Sequence, residues 1–279
     1  MTLEQLITHA LKEDIGEGDH TSQACIPGDV TGKAQLLIKE EGILAGVEFA
    51  QLIFHKVDPE LKIEVFLRDG ANVKNGDVAF IIEGRSRSIL KAERVALNFM
   101  QRMSGIATTT HDMVQSLQGT NTKILDTRKT TPGLRVIEKW AVRIGGGVNH
   151  RFGLDDMIMI KDNHIDMSGG IKNAISSVHS YLKKINKDLE IVIEARGLKE
   201  VKEILLTGGI NRIMLDNFSP TNLQQAVKLI DGKFKTEASG GITGKNIRDY
   251  AECGVDYISI GALTHSVKSL DMSLKVFLS

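Results

Sequence analysis

The sequence predicts an α/β protein: a C-terminal barrel of parallel strands and a smaller N-terminal α+β sandwich domain. From residue 121 onward, six short apolar runs alternate with helical segments. In roughly the first hundred residues, strand-like runs are instead separated by Gly-Asp, Asn-Gly and Asp-Gly pairs, which are typical of hairpin turns. Because each C-terminal run is too apolar for a half-exposed strand, a closed or nearly closed barrel is favoured over a doubly wound open sheet. We predict domains at 1–105, joined by 267–279, and at 106–266.

The N-terminal elements begin with a helix, because the apolar residues of the first eleven recur at helical spacing. Three strand-like segments follow, and then a long helical stretch, SILKAERVALNFMQRMSGIATTTHDMVQSL, at 88–117. The helix is predicted to bury one apolar face, made of Ile89, Ala92, Ala96, Met100, Met103 and Ala107. A polar face carries Arg94, Asn98, Gln101 and Arg102. We place the domain boundary within this stretch.

The C-terminal units follow in a regular order of strand and helix. Their apolar runs are TKILDTRK, DDMIMIKDN, LEIVIEAR, NRIMLDN, FKTEASGG and VDYISIGAL. The first run leads into a helix with Thr131 as the predicted N-cap and Pro132 at the first helical position. Since parallel neighbours need a crossover connection, this alternation indicates a parallel sheet.

Charged or glycine residues end every one of these runs on its carboxyl side. They are Asp126, Arg128 and Lys129; Lys161 and Asp162; Glu194 and Arg196; Asp216; Glu237, Ser239, Gly240 and Gly241; and Gly261. Parallel strands present their carboxyl ends at one rim, and in barrels that rim carries the chemistry. Unpaired buried charge is costly, so a ring of this kind indicates a ligand pocket.

The chemistry of the rim indicates anionic ligands. Arginine and lysine suit carboxylates and phosphates, and Arg128, Lys129, Arg151 and Lys161 lie at strand ends or in loops. Arg135, Lys139 and Arg143, at i, i+4 spacing, have an equally good interpretation as a solvated helix face. Gly240 and Gly241 before a helix, with Gly261 opposite, predict a phosphate site. Two acids, Glu194 and Asp216, would accept sugar hydroxyls or hold Mg²⁺ carried by a diphosphate.

The composition excludes several classes of protein. Lys+Arg and Asp+Glu are equal at 35 each, so no net field attracts nucleic acid or an anionic membrane. Aromatic residues make up 5% of the chain and form no stacking platform for bases. Cys25 and Cys253 are interpreted as reduced thiols, and neither a secretory signal nor a membrane span is recognisable. We therefore expect a cytoplasmic protein without a nucleic-acid or membrane partner.

Several motifs resemble those of the quinolinate phosphoribosyltransferase family. They are DTRKTTPGLR, GGGVNHRFGLDDMIMIKDNH, MLDNF, EASGGIT, GVDYISIGALTHS, ERVALNFMQRMSGIAT and EDIGEGDHTS, which together cover nearly the whole chain. The resemblance implies an N-terminal α/β sandwich, an open α/β (TIM-like) barrel and an active site completed by a second subunit in a homodimer, or in a hexamer. It implies transfer of phosphoribose from phosphoribosyl pyrophosphate (PRPP) to quinolinate with Mg²⁺, without an organic cofactor, as a step of NAD biosynthesis.

The resemblance also implies residue roles. Arg94 corresponds to an arginine donated across the dimer interface, and Arg128 and Arg151, with His150 beside them, to clamps for the quinolinate carboxylates. Lys129 and Lys161 correspond to lysines near the ring and the pyrophosphate, and are expected to be catalytic together with Glu194 and Asp216, which face the ribose and the metal. The remaining substrate-binding positions are Thr127, Ser239, Gly240, Gly241, Ile260 and Gly261. The family often has another acid where this chain has Val192, which weakens a metal model that needs both acids.

Three other functions stay open on the sequence alone. One is a Schiff-base aldolase with Lys161 as the nucleophile, because a strand-end lysine in a barrel permits that chemistry. Another is a paralogue associated with molybdate transport that shares much of this pattern. The third is a non-catalytic protein that binds anions on an enzyme's scaffold. An aldolase explains the phosphate site but leaves the concentration of arginines unexplained.

Overall fold

The computed structural model describes residues 1–277, so the last two residues of the predicted segment 267–279 lie outside it. The helices are α1 (Leu3–Ile15), α2 (His20–Cys25), α3 (Val47–Val57), α4 (Ser86–Gln115), α5 (Arg135–Ile144), α6 (Asp162–Ser168), α7 (Ile171–Ile185), α8 (Leu198–Thr207), α9 (Pro220–Ile230), α10 (Ile247–Ala251) and α11 (Ala262–His265). The strands are β1 (Thr31–Ile38), β2 (Gly42–Ile43), β3 (Lys62–Val65), β4 (Asn72–Val73), β5 (Val78–Arg85), β6 (Lys123–Leu125), β7 (Ile158–Ile160), β8 (Ile191–Ala195), β9 (Arg212–Asp216), β10 (Lys235–Ser239), β11 (Tyr257–Ser259) and β12 (Met272–Phe277).

The chain forms two compact units. The first comprises residues 1–111, 130–146 and the chain from Leu263 onward, and the second comprises 112–129 and 147–262. Residues 130–146, which include α5, therefore belong to the first unit. The domain limits at 1–105 and 106–266 stay a prediction. None of the described helices combines the length and the apolar character needed to cross a bilayer.

The first unit is built on an antiparallel sheet with strand order β12-β1-β5-β3. The long helix α4 was predicted correctly, and all six residues of its expected apolar face are at most 2% exposed. Phe49 of α3 packs edge-on against Phe99 of α4, with ring centroids 5.0 Å apart. The core of this unit therefore depends on the apolar stripe that the sequence displays.

The second unit is a six-stranded sheet in the order β6-β11-β10-β9-β8-β7, in which every neighbouring pair is parallel. From β7 to β11 each strand lies beside its sequence neighbour, and the last of them, β11, pairs with β6. This cyclic order is that of a barrel, whereas a doubly wound sheet would reverse direction at a switch point. The barrel stays open between β6 and β7, where Val148 forms a single parallel bridge to Leu125.

The helix α5 begins at Arg135, so the predicted N-cap at Thr131 and first helical position at Pro132 were wrong. Thr131 has another role, because its hydroxyl accepts a hydrogen bond from Arg102 at 2.7 Å and its N–H donates to Glu138 at 3.1 Å. The interpretation of α5 as a solvated basic face was also wrong: Arg143 is exposed, but Lys139 is only 3% exposed.

Candidate active site

The segment after β6 contains both structural and exposed charges. Asp126 is fully buried, and its carboxylate accepts hydrogen bonds from the backbone N–H of His150 at 2.8 Å and from Asn149 Nδ2 at 2.5 Å. The expectation that Asp126 lines the pocket was therefore wrong, since it fastens the chain near His150 to the end of β6. Arg128 and Lys129 are exposed, and the Lys129 N–H donates to the Thr127 hydroxyl at 3.0 Å.

Arg128 and Arg151 lie close enough to repel each other. Burial lowers the pKa of the Arg151 guanidinium, and the positive charge of Arg128 lowers it further. The carboxylates of Asp156 and Glu194 act in the opposite direction. Two guanidinium groups that influence each other in this way favour a bound anion, because a carboxylate near both would offset the repulsion.

Lys161 and Glu194 form an ion pair at the ends of neighbouring strands. Lys161 directly follows β7, Glu194 belongs to β8, and their Nζ and Oε1 atoms are 2.8 Å apart. Glu194 is 8% exposed, and its second oxygen lies 3.4 Å from the backbone N–H of Asp162. The predicted meeting of these two residues at one rim is thus present in the structure.

Asp216 and Ser239 meet at the ends of β9 and β10, where they are register partners. The Ser239 hydroxyl donates to Asp216 Oδ1 at 2.5 Å, and Asn217 Nδ2 donates to Oδ2 at 2.6 Å. Asp216 remains half-exposed, so a substrate hydroxyl can reach it.

Gly240 and Gly241 both have left-handed backbone angles, with φ of 91° and 64°. A Cβ at Gly240 would lie 2.1 Å from Asn217 Oδ1, whereas one at Gly241 would meet nothing within 4 Å. Gly240 is thus required for packing, and Gly241 leaves open space beside exposed backbone. The sequence predicted that a helix would begin directly after these glycines. That prediction was wrong, because α10 starts only at Ile247 and its amino end is not adjacent to them.

The last strand contributes backbone to the same rim. Ile260 is buried directly after β11, and its N–H donates to the carbonyl of Leu125 at 3.0 Å. Gly261 follows and is half-buried. Both therefore lie beside the end of β6, where Thr127 and Arg128 begin.

Two charges assigned to the rim have other positions. Arg196 is exposed and bonds Asp166 at 2.9 Å and Glu200 at 2.8 Å, which makes it part of a surface ion-pair network. Glu237 is fully buried inside the barrel and bonds Arg212 at 2.9 Å. Sequence reasoning missed Arg212, although an arginine at the start of an apolar strand was a visible signal. Arg94 lies on the exposed face of α4, in the first unit.

The described residues do not form a cluster of three or more metal-binding side chains. Among residues 1–277, no group of three or more His, Cys, Asp or Glu side chains is arranged to hold a metal ion. Glu194 and Asp216 lie on the neighbouring strands β8 and β9, and both already accept hydrogen bonds. Val192 is fully buried within β8, so it supplies no further ligand.

The open barrel and its rim define an enzyme that acts on phosphorylated, anionic substrates. The family model described as "Quinolinate phosphoribosyl transferase, C-terminal domain" matches residues 106–275, and the model for the N-terminal domain matches residues 19–104. The chain belongs to the quinolinate phosphoribosyltransferase family, as the motif resemblance implied.

Relatives from plants and bacteria are similar over nearly the whole chain. The chloroplastic nicotinate-nucleotide pyrophosphorylase [carboxylating] of Arabidopsis thaliana is 50% identical over 98% of this chain and 82% of the relative. The probable nicotinate-nucleotide pyrophosphorylase [carboxylating] of Bacillus subtilis is 44% identical, with 100% and 95% coverage. The crystal structure of NadC from Streptococcus pyogenes has a TM-score of 0.94 at 40% identity, and covers 99% of this chain and 98% of that one.

Proposed function

We propose that this chain transfers phosphoribose from PRPP to the ring nitrogen of quinolinate and removes one carboxylate, giving nicotinate mononucleotide, pyrophosphate and CO2. The observation that carries the proposal is the Lys161–Glu194 ion pair, 2.8 Å long, at a strand-end rim where Arg151 lies near enough to Glu194 and Arg128 for their charges to shift its pKa. Quinolinate is a dicarboxylate, so it matches two adjacent guanidinium groups in charge and in shape.

The roles of the rim residues follow from their chemistry. Loss of pyrophosphate builds positive charge on the ribose, and the carboxylates of Glu194 and Asp216 stabilise that charge electrostatically. Lys129 and Lys161 counter the negative charge of the ring carboxylates and of the leaving pyrophosphate. The open backbone at Gly241 receives the 5′-phosphate, with Ser239, Gly240 and Gly261 around it. Most of the rate is assigned to the alignment of two anions that repel each other in water.

Decarboxylation needs no organic cofactor in this scheme. Ribosylation makes the ring nitrogen cationic, and this charge stabilises the electron pair that stays on the adjacent ring carbon as CO2 leaves. That carbon then takes up a proton from water, which gives nicotinate mononucleotide. Arg128 and Arg151 hold the carboxylates in place before this step. The chain therefore contributes position and charge, and the substrate supplies the electron sink.

Mg²⁺ is proposed to arrive with PRPP. The carboxylates of Glu194 and Asp216 accept hydrogen bonds at both oxygens, and each oxygen keeps a further lone pair for a metal whose other ligands are diphosphate oxygens and water. Such an ion would neutralise charge on the leaving pyrophosphate. Because Val192 is apolar and buried, the proposal requires no third carboxylate from the chain.

We further propose that the protein is a homodimer, or a hexamer, in which Arg94 reaches the quinolinate site of the partner subunit. The exposure of Arg94 on α4 supports its availability to a second subunit. Among the described residues both cysteines are free thiols, which agrees with the cytoplasmic location proposed for the protein.

The test of the proposal is turnover, measured as CO2 release from carboxyl-labelled quinolinate in the presence of PRPP and Mg²⁺. Calorimetric titration with quinolinate, and then with PRPP plus Mg²⁺, determines whether both anions bind. A protein that binds both but releases no CO2 is an anion-binding protein and contradicts the proposed reaction. Release that requires both substrates is the expected result.

The structure does not favour the aldolase. Lys161 Nζ is engaged by Glu194 at 2.8 Å, whereas a Schiff-base nucleophile must present its amine lone pair to the substrate carbonyl. Borohydride treatment in the presence of sugar phosphates is therefore expected to leave Lys161 unlabelled, as determined by peptide mass spectrometry. Covalent labelling at this lysine would support the aldolase instead.

A further inference from the structure

A buried charge network lies inside the barrel, and the proposed reaction assigns no role to two of its members, Glu237 and Arg212. Glu237, His150 and Arg212 are 0%, 7% and 6% exposed. Arg212 Nη1 donates to Glu237 Oε2 at 2.9 Å, and its guanidinium also lies 4.5 Å from the centre of the Tyr257 ring. Burial raises the pKa of Glu237, but the contact with His150, a hydrogen bond from Ser259 and the charge of Arg212 outweigh it and hold the pKa below its usual range. Glu237 is therefore an ionised carboxylate in the interior.

The imidazole of His150 connects this carboxylate to Arg151. Its Nδ1 accepts a hydrogen bond from the backbone N–H of Arg151 at 2.8 Å, and a ring nitrogen that accepts carries no proton. The ring proton must then reside on Nε2, which lies 3.3 Å from Glu237 Oε2. The backbone N–H of His150 is fixed independently, by Asp126 at 2.8 Å. A carboxylate at this distance favours the tautomer with the proton on Nε2, and Nδ1 of the same ring accepts the hydrogen bond from the Arg151 peptide.

We propose that Glu237 is a positioning residue: acting through His150, it fixes the backbone of Arg151 and so directs the guanidinium that holds a quinolinate carboxylate. The inference rests on the proposed role of Arg151 in the reaction. Arg212 keeps Glu237 charged, and Glu190, 3.3 Å from Arg212 Nη2, anchors Arg212 in turn. The buried charge of Glu237, which costs free energy to desolvate, thereby orients Arg151 from the interior of the barrel.

The first test measures the tautomer in the wild-type protein without substrate. Imidazole ¹⁵N NMR, with His150 assigned from its absence in His150→Gln, is expected to show a protonated Nε2 and an unprotonated Nδ1. Glu237→Gln should mix the two tautomers, because the amide no longer offers a charged acceptor. Asp256→Asn is the matched control, since it removes another ion-paired acid, bonded to Lys235 at 2.7 Å near the amino end of β11, and should leave the His150 signals unchanged.

The second test separates the two substrates. Glu237→Gln should raise the KM for quinolinate about tenfold and leave the KM for PRPP within about twofold, because only one substrate contact is displaced. The double variant with His150→Gln should bind quinolinate no more weakly than His150→Gln alone. Asp256→Asn should keep both KM values.

Three results would overturn the proposal: a protonated Nδ1 in the wild-type protein, additive losses in the double variant, or equal losses for both substrates. The tautomer measurement decides even where Glu237→Gln does not fold, because it uses the wild-type chain. It is also independent of turnover. Failure of the proposed reaction would appear as absent CO2 release from the wild-type protein, whatever its tautomer.

Discussion

Replacement of Arg128 by alanine is expected to weaken quinolinate binding selectively. Removing one partner of a desolvated, hydrogen-bonded charge pair costs about 2–5 kcal/mol. Arg128 is exposed, which places the loss at the lower end, about 2–3 kcal/mol. Since each 1.4 kcal/mol is about tenfold in affinity, the Kd for quinolinate should rise roughly 30- to 150-fold. The affinity for PRPP should change little, because the proposed phosphate site lies at the glycines that follow β10 and β11.

Calorimetry with each substrate, paired with steady-state CO2 release, measures this selectivity. Arg196→Ala is the matched control, because Arg196 is also an exposed arginine at a strand end but is bonded to Asp166 and Glu200. It should leave the affinity for quinolinate within about twofold, since surface ion pairs contribute little free energy. Equal weakening of both substrates by Arg128→Ala would refute the reasoning, as would an equal effect from Arg196→Ala.

Three further predictions concern the subunits, the phosphate and pH. Mixing inactive Arg94→Ala with inactive Lys129→Ala should restore part of the activity, because a mixed dimer would contain one site with both residues intact. If no activity returns after verified subunit exchange, the result would argue against a shared site. Gly241→Val should weaken PRPP binding in calorimetry without unfolding the protein. The control for backbone strain is Gly232→Val, because Gly232 has a similar φ of 69° and equally open space around it. This variant should keep the affinity for PRPP. Asp58, whose pKa its arginine partner lowers from 3.8 to about 2, should stabilise the fold by about 1–2 kcal/mol above pH 4. That contribution should be lost as the pH falls through about 2, and it should be missing in Asp58→Asn. Chemical denaturation of both proteins across this pH range measures it. A stability difference between the wild type and Asp58→Asn that stays unchanged at low pH would contradict the prediction.

The strands and the rim were predictable because both depend on local sequence. Six apolar runs separated by helical segments allow few topologies, since parallel strands need crossovers. The meeting of Lys161 with Glu194, and of Asp216 with Ser239, follows once those runs are parallel neighbours. No individual contact had to be known for that prediction.

The errors at the rim arose where a side chain's partner is distant in sequence. Glu237 comes two residues before Ser239, and at a rise of about 3.3 Å per residue it lies roughly 7 Å deeper in the barrel. The sequence places both near the end of one run but does not distinguish the interior from the mouth. Asp126 and Arg196 were misplaced for a related reason, because their partners become neighbours only after folding.

The buried and exposed charges of the second unit have different physical tasks. Glu237 and Asp126 are fully buried, and each is compensated by donors that the chain itself supplies, so neither requires a ligand. Arg128 and Arg151 instead bring like charges together, which the carboxylates of Asp156 and Glu194 offset at Arg151 and which a bound anion would offset further. His150 connects the buried charges to the rim. Its backbone N–H donates to Asp126, and its ring lies between Glu237 and the backbone N–H of Arg151. In the proposed reaction, the buried network therefore affects quinolinate binding by fixing the position of Arg151. The rim residues affect it by attracting the carboxylates of quinolinate.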